Sequence, residues 1–213
     1  MKGRIEQPYI LSEDEKNIIA EKFSKYTDWE KSCFDEIKRH IKEFLRKEQD
    51  NRCCYCKKQL GFDLKDVDIE HIVPKSIRSE YTFEPYNLAL SCPACNTLKG
   101  DADIQSTKFK QGRKSYPKDS SFYTIVHAHC DDYFEHIKIH DDLLYEGLTK
   151  KGCQTITTCE LFRLKQAQAR AQAICSQRNN SSRLLAECLS SANPQELADA
   201  LKQIADIVSI SKL

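Results

Sequence analysis

Between Val67 and Gly100 the chain gathers residues able to handle protons and metal ions. His71 directly follows a carboxylate, Glu70, and asparagines stand at positions 87 and 96. Cys92-Pro93-Ala94-Cys95 repeats the C-x-x-C spacing of Cys53 to Cys56 upstream. Two such pairs a few tens of residues apart are a strong zinc signal, because four thiolates satisfy tetrahedral Zn(II). A closed all-thiolate shell leaves no open position, so this ion is structural. Binding of that kind is worth about 10–16 kcal/mol in small zinc modules. Cys54 adjoins Cys53 and competes for the first ligand place; the x-x spacing favours Cys53.

The polar residues beside these cysteines carry a second chemistry. Neutral imidazole has an unperturbed pKa near 6.5 and takes a proton from water at neutral pH. Adjacent strand residues point to opposite faces, so His71 can serve as base while Glu70 holds a metal across the strand. Asn96 follows the last cysteine and is expected to open a helix, whose N-terminus favours an anion. Its amide oxygen is a hard donor for Mg(II) or Mn(II), and Glu70 with Asn96 leaves most of the coordination sphere to water and phosphate. A Glu-His pair by itself is most simply an exposed strand end. Its placement relative to both cysteine pairs supports the chemical reading.

Composition limits the partners. Lys and Arg total 33 against 32 acidic residues, whereas free-standing nucleic-acid binders carry a clear basic excess. A grip on phosphate therefore needs a local patch, a metal or a partner protein. Thr107 to Lys118 is one such patch: Lys108, Lys110, Arg113, Lys114 and Lys118 occur without an acid, and Phe109 and Tyr116 are interleaved. The plain reading is a solvated connector; the functional one is a row of phosphate contacts with aromatics that stack on bases. No apolar run of membrane-spanning length occurs. The start lacks the apolar core of a signal peptide, which with 11 cysteines implies thiols in the cytoplasm.

The elements that must position these residues read as α+β. Ser12 to Glu15 forms a capping box, and Thr27 to Glu30 is expected to form a second. Cys33, Phe34, Ile37, Ile41, Phe44 and Leu45 then make an apolar helical stripe. Asp66 to Val73 suits a strand ended by Pro74, and Leu88 to Leu90 a second one. The order is strand, strand, helix. Phe134 to Leu148 reads as two short strands joined at Asp141-Asp142. A long helix is expected from Thr158 through Ile174, and another from a cap at Asn193. Three parts result: a helical region at 1–50, a core at 51–105, and a region at 106–213 with basic connector, β-hairpin and C-terminal helices.

E-H-I-V-P-K-S followed by Y-N-L-A-L-S-C-P-A-C-N-T-L-K-G resembles the HNH endonuclease signature, in the zinc-stapled branch of the ββα-metal fold. The resemblance implies a metal-dependent nuclease acting on DNA, the favoured substrate, or RNA. It makes His71 the general base and Asn87 the middle asparagine that braces the loop and orients His71. Asn96 and Glu70 then hold the catalytic Mg(II) or Mn(II), and Lys99 and Lys75 touch phosphate. Glu70 stands where the family usually has aspartate. With the downstream H-x-H-x-D-x-Y-x-x-H-I segment, the chain is also similar to HNH subunits of bacterial anti-phage systems, Septu-type and retron-associated, which act with an ATPase partner. The competing reading is a catalytically silent zinc module that binds nucleic acid or protein. His127, His129, His136 and His140 match no metal box and are expected to hydrogen-bond.

Overall fold

A hydroxyl at the right spacing starts the first helix. In the computed structural model, which describes residues 1–109, 115–140 and 144–162 with Asn193 and Gln195, α1 spans Glu13–Lys22. The Ser12 hydroxyl accepts from the Glu15 amide at 3.2 Å, and the Glu15 carboxylate accepts from the Ser12 amide at 2.8 Å. Two donors that the helix cannot satisfy are thus paired. The second expected box takes another form. Asp28, not Thr27, is the capping group: its carboxylate accepts from the amides of Ser24 and Lys25 and from the Ser24 hydroxyl. This closes a 3₁₀ turn at Tyr26–Glu30, and α2 (Asp35–Glu48) starts only after a further turn. Phe34, Ile37, Ile41 and Leu45 are buried along one side, while Cys33 is exposed.

The central unit is strand, strand, helix. β1 (Asp68–His71) and β2 (Leu88–Ser91) pair antiparallel, with Asp68 opposite Ser91 and His71 opposite Leu88. α3 (Pro93–Lys99) follows directly, capped by Cys92. A two-stranded ribbon leaves one row of backbone groups on each strand open. On β2 that row is filled by side chains and a loop amide. Gln49, just past α2, accepts from the Leu90 amide at 2.7 Å and donates to the Leu90 carbonyl at 2.9 Å. The Cys54 amide donates to the same carbonyl at 2.9 Å, and His129 Nε2 donates to the Leu88 carbonyl at 2.9 Å. The carboxamide of Gln49 stands in for a third strand.

Downstream, Asp132 caps a single helical turn, α4 (Tyr133–His136), where a strand was expected from Phe134. The hairpin proper is β3 (Ile137–His140) and β4 (Leu144–Gly147), antiparallel. The helix expected to start at Thr158 instead ends there: α5 is Lys150–Thr158, begun by the Thr149 cap and followed by Glu160 at φ 44°. Gly152 lies so close to the His136 carbonyl that an added Cβ would meet its oxygen at 1.9 Å, so the α4–α5 approach requires glycine there. The rest of the helix expected from Thr158 lies outside the described residues. Of the element at Asn193, the described part is a cap contact, the Gln195 amide to Asn193 Oδ1 at 3.0 Å. No helix among the described residues is long and apolar enough to cross a membrane.

Gln49→Ala leaves the Leu90 amide unpaired in the interior. It is expected to lower stability by about 1–3 kcal/mol, read from urea unfolding midpoints at unchanged slope.

Candidate functional site

The Sγ atoms of Cys53, Cys56, Cys92 and Cys95 lie within 4.8 Å of one another, all buried. The Cys56 and Cys92 sulfurs are 3.8 Å apart. A tetrahedral ion with Zn–S bonds of about 2.3 Å sets sulfur–sulfur edges near that length. The donor set therefore fits a structural Zn(II). Cys54 is outside the cluster. The knuckle itself is a tight turn, with the Cys53 amide on the Lys58 carbonyl at 2.9 Å and Lys57 at φ 53°. Burial pushes the Cys53 thiol well up, and its sulfur neighbours do the same for Cys56. Four thiols this close together ionise together only around a cation.

His71 closes β1. Its Nε2 lies 3.0 Å from the Thr82 carbonyl, which can only accept, so Nε2 carries the hydrogen and Nδ1 the lone pair. Nδ1 has no hydrogen-bond partner among the described residues. Trp29 meets the imidazole edge-on at 4.6 Å, and Phe83 lies 5.0 Å from Trp29. Burial, helped by Lys75 and Lys99, lowers the His71 pKa to about 3, so the ring is neutral at pH 7. A proton acceptor is thus held by its other nitrogen against a dry aromatic wall.

Asn87 is fully buried and closes the loop that carries Thr82. Its Oδ1 accepts from the Val73 amide at 2.7 Å, and its Nδ2 donates to the carbonyls of Val73 and Tyr81, each at 3.0 Å. The Ile72 amide donates to the Asn87 carbonyl at 2.9 Å. Both ends of the loop are tied by one side chain.

The opposite face of β1 is charged. Lys99 Nζ lies 2.6 Å from Glu70 Oε1, with both side chains 1% exposed. Lys99 also donates to the His71 carbonyl at 2.9 Å, and the Tyr55 hydroxyl donates to Glu70 at 3.0 Å. Burial raises the Glu70 pKa, opposed by Lys99 and Tyr55. Asn96 donates to Asp68 Oδ2 at 2.9 Å. Two expectations change here. Lys99, expected to reach phosphate, is buried under its own helix. Asn96 does not open α3 but lies inside it, its amide bonded back to the Cys92 carbonyl at 3.0 Å; the helix-terminus argument for it falls. Glu70 and Asn96 do share a face, each with a different partner. Asp68, Glu70 and Asn96 together bring hard oxygen donors to that face, a donor set that suits Mg(II) or Mn(II). Asp68 escaped the sequence reading, although the two-residue strand period placed it beside Glu70. Trp29, Tyr55 and Thr82 carried no local signal.

The basic residues divide. Lys75 is half-buried, 4.0 Å from Glu30, and Lys108 is exposed. Lys110, Arg113 and Lys114 lie outside the described residues. Phe109 and Tyr116, expected to stack on bases, are both buried. The four downstream histidines all hydrogen-bond: His127 to Tyr116, His129 to Leu88, His136 to Thr149 and His140 to Glu146. Among the described residues the four cysteines form the one group of three or more His, Cys, Asp or Glu side chains arranged to hold a metal.

Residues 53–102 match the family model described as HNH endonuclease, so the core of this α+β chain is an HNH domain. The chain is also similar to the Septu protein PtuB of Bacillus thuringiensis, 29% identical over 127 residues. That alignment covers 60% of this chain and 43% of the relative, less than half of its length. No solved structure matches.

Elemental analysis of desalted protein is expected to find one zinc per chain, and Cys92→Ser to lose both the zinc and cooperative unfolding. Lys99→Met strands a buried carboxylate and is expected to cost about 3–5 kcal/mol. Adding Glu70→Gln should recover most of that loss in a double-mutant cycle of thermal melts.

Proposed function

We propose that this HNH-domain chain is a metal-dependent endonuclease that hydrolyses phosphodiester bonds, with His71 as its general base. The observation that carries the reading is the imidazole at the end of β1, neutral, held through Nε2 by the Thr82 carbonyl, with Nδ1 unpaired among the described residues. A water at Nδ1 gives its proton to that lone pair while its oxygen attacks phosphorus and the ester oxygen opposite departs. The phosphate anion beside Nδ1 stabilises the imidazolium, moving a depressed pKa back toward the range where a base works best. Asn87 keeps the loop, and so Thr82, in place. Glu70 and Asn96, with Asp68 beside them, would hold Mg(II) or Mn(II), whose chemistry there is to stabilise charge on the phosphoryl group and leaving oxygen.

The near-balanced charge argues against a tight nucleic-acid grip by this chain alone. Together with the likeness to the Septu protein and to HNH subunits of anti-phage systems, it supports an effector that works with a partner, an ATPase by that resemblance. Free thiols among the described residues suit a reducing cytoplasm. DNA is the favoured substrate over RNA.

Nicking of supercoiled plasmid with Mg(II) or Mn(II), with and without the partner, tests this. His71→Ala is expected to lose about 10²–10⁴-fold in rate while keeping its zinc. Asn96→Ala should melt like the parent and not cut. Equal rates for His71→Ala and parent would remove the base from its role. An inactive parent under every condition would leave the silent zinc module.

A further inference from the structure

Behind the loop that carries Thr82 runs a buried chain of polar groups whose direction is set by its own donors. The His129 amide donates to His127 Nδ1 at 3.2 Å, so that nitrogen bears the lone pair and Nε2 the hydrogen. Asn87 Oδ1 already accepts from the Val73 amide and can only accept again, so the Tyr116 hydroxyl donates its single hydrogen there, at 3.0 Å. The 2.8 Å contact between Tyr116 and His127 must then run from Nε2–H to the phenol oxygen. Every hydrogen from His127 to Asn87 has one position. The His127 backbone is itself pinned, its amide donating to Asp131 Oδ2 at 2.7 Å, and Asp131 is paired with Lys151 of α5 at 2.8 Å. Tyr116 and His127 are both buried.

We infer that Tyr116 and His127 are positioning residues for the proposed base, a role that rests on the nuclease reading and reaches His71 through Asn87 and the loop bearing Thr82. The constellation around His127, which matched no metal pattern, holds the catalytic loop from behind. A phenol whose hydrogen is directed at Asn87 Oδ1 keeps the Asn87 carboxamide from turning over, and with it the carbonyls of Val73 and Tyr81. The Thr82 carbonyl that orients His71 lies one residue beyond Tyr81. Neither Tyr116 nor His127 makes a hydrogen bond or ring contact with His71.

Tyr116→Phe removes one oxygen and keeps the ring that packs on Tyr81 at 5.0 Å and Tyr123 at 6.0 Å. In the metal-loaded full chain it is expected to lower kcat for plasmid nicking on the order of 10- to 100-fold, the scale of a small misplacement, with KM unchanged. Amide hydrogen exchange should quicken at Tyr81, Thr82 and Asn87 and stay as in the parent at Glu70 and Leu90. Asn87→Ala combined with Tyr116→Phe should be no slower than Asn87→Ala alone. Unaltered exchange in the loop, or additive losses in the double variant, would overturn the inference. If the parent does not cut, the nuclease reading fails separately, and the exchange pattern still decides whether Tyr116 holds the loop.

Discussion

Four sulfur atoms drawn to one point are the constraint on which the rest of the centre depends. β1 and β2 are four residues each and α3 is seven. A lone two-stranded ribbon is marginal in water, and so is a helix of two turns. The cysteines sit where those elements need fixing: Cys92 caps α3, Cys95 lies within it, and the knuckle Cys53–Cys56 abuts the outer edge of β2 through the Cys54 amide. An ion gripping all four would fix the rotation of α3 against β1. That rotation puts Asn96 over Asp68 and Lys99 over Glu70.

The flanking segments complete what the four cysteines begin. Gln49 reaches across from the end of α2 to fill the open edge of β2 at Leu90, and His129 does so from the other side at Leu88. Trp29, in the turn before α2, walls the imidazole of His71. The Tyr145 hydroxyl of β4 donates to the Cys56 carbonyl at 2.7 Å, tying the downstream hairpin to the first knuckle. Residues before and after the HNH segment thus supply hydrogen bonds that the small core lacks. A buried strand edge without them would carry unpaired amides.

What could be read from the sequence was what local rules decide. The cysteine spacing, the Ser12 box, the apolar stripe of α2 and the strand-strand-helix order each depend on residues a few positions apart. What escaped depends on partners far along the chain. Gln49 and Leu90 are separated by 41 residues, Lys99 and His71 by 28, and Tyr116 and Asn87 by 29. A lysine in an HNH-like run reads as a phosphate contact until α3 shows which side faces β1. Likewise an aromatic in a basic run reads as a stacking surface until its hydroxyl is found on a buried asparagine. The Thr27 box failed for a local reason: Asp28 offered a stronger acceptor to the preceding amides, and the chain closed a tighter turn.

Strand alternation divides β1 into two environments that could not share one side. His71 faces aromatic rings and a carbonyl, surroundings that keep it neutral. Glu70 and Asp68 face α3, where the Lys99 ammonium pairs with Glu70 and the Asn96 side-chain amide donates to Asp68. Lys99 joins the two. Its ammonium is paired with Glu70 on the charged side and donates to the backbone carbonyl of His71, the residue whose ring lies on the other. Burying such a pair costs desolvation that the attraction only partly offsets, so it is a weak source of stability. Its consequence is positional: with the carbonyl of His71 held from one face and its Nε2 from the other, neither the strand end nor the ring can turn without breaking a buried hydrogen bond.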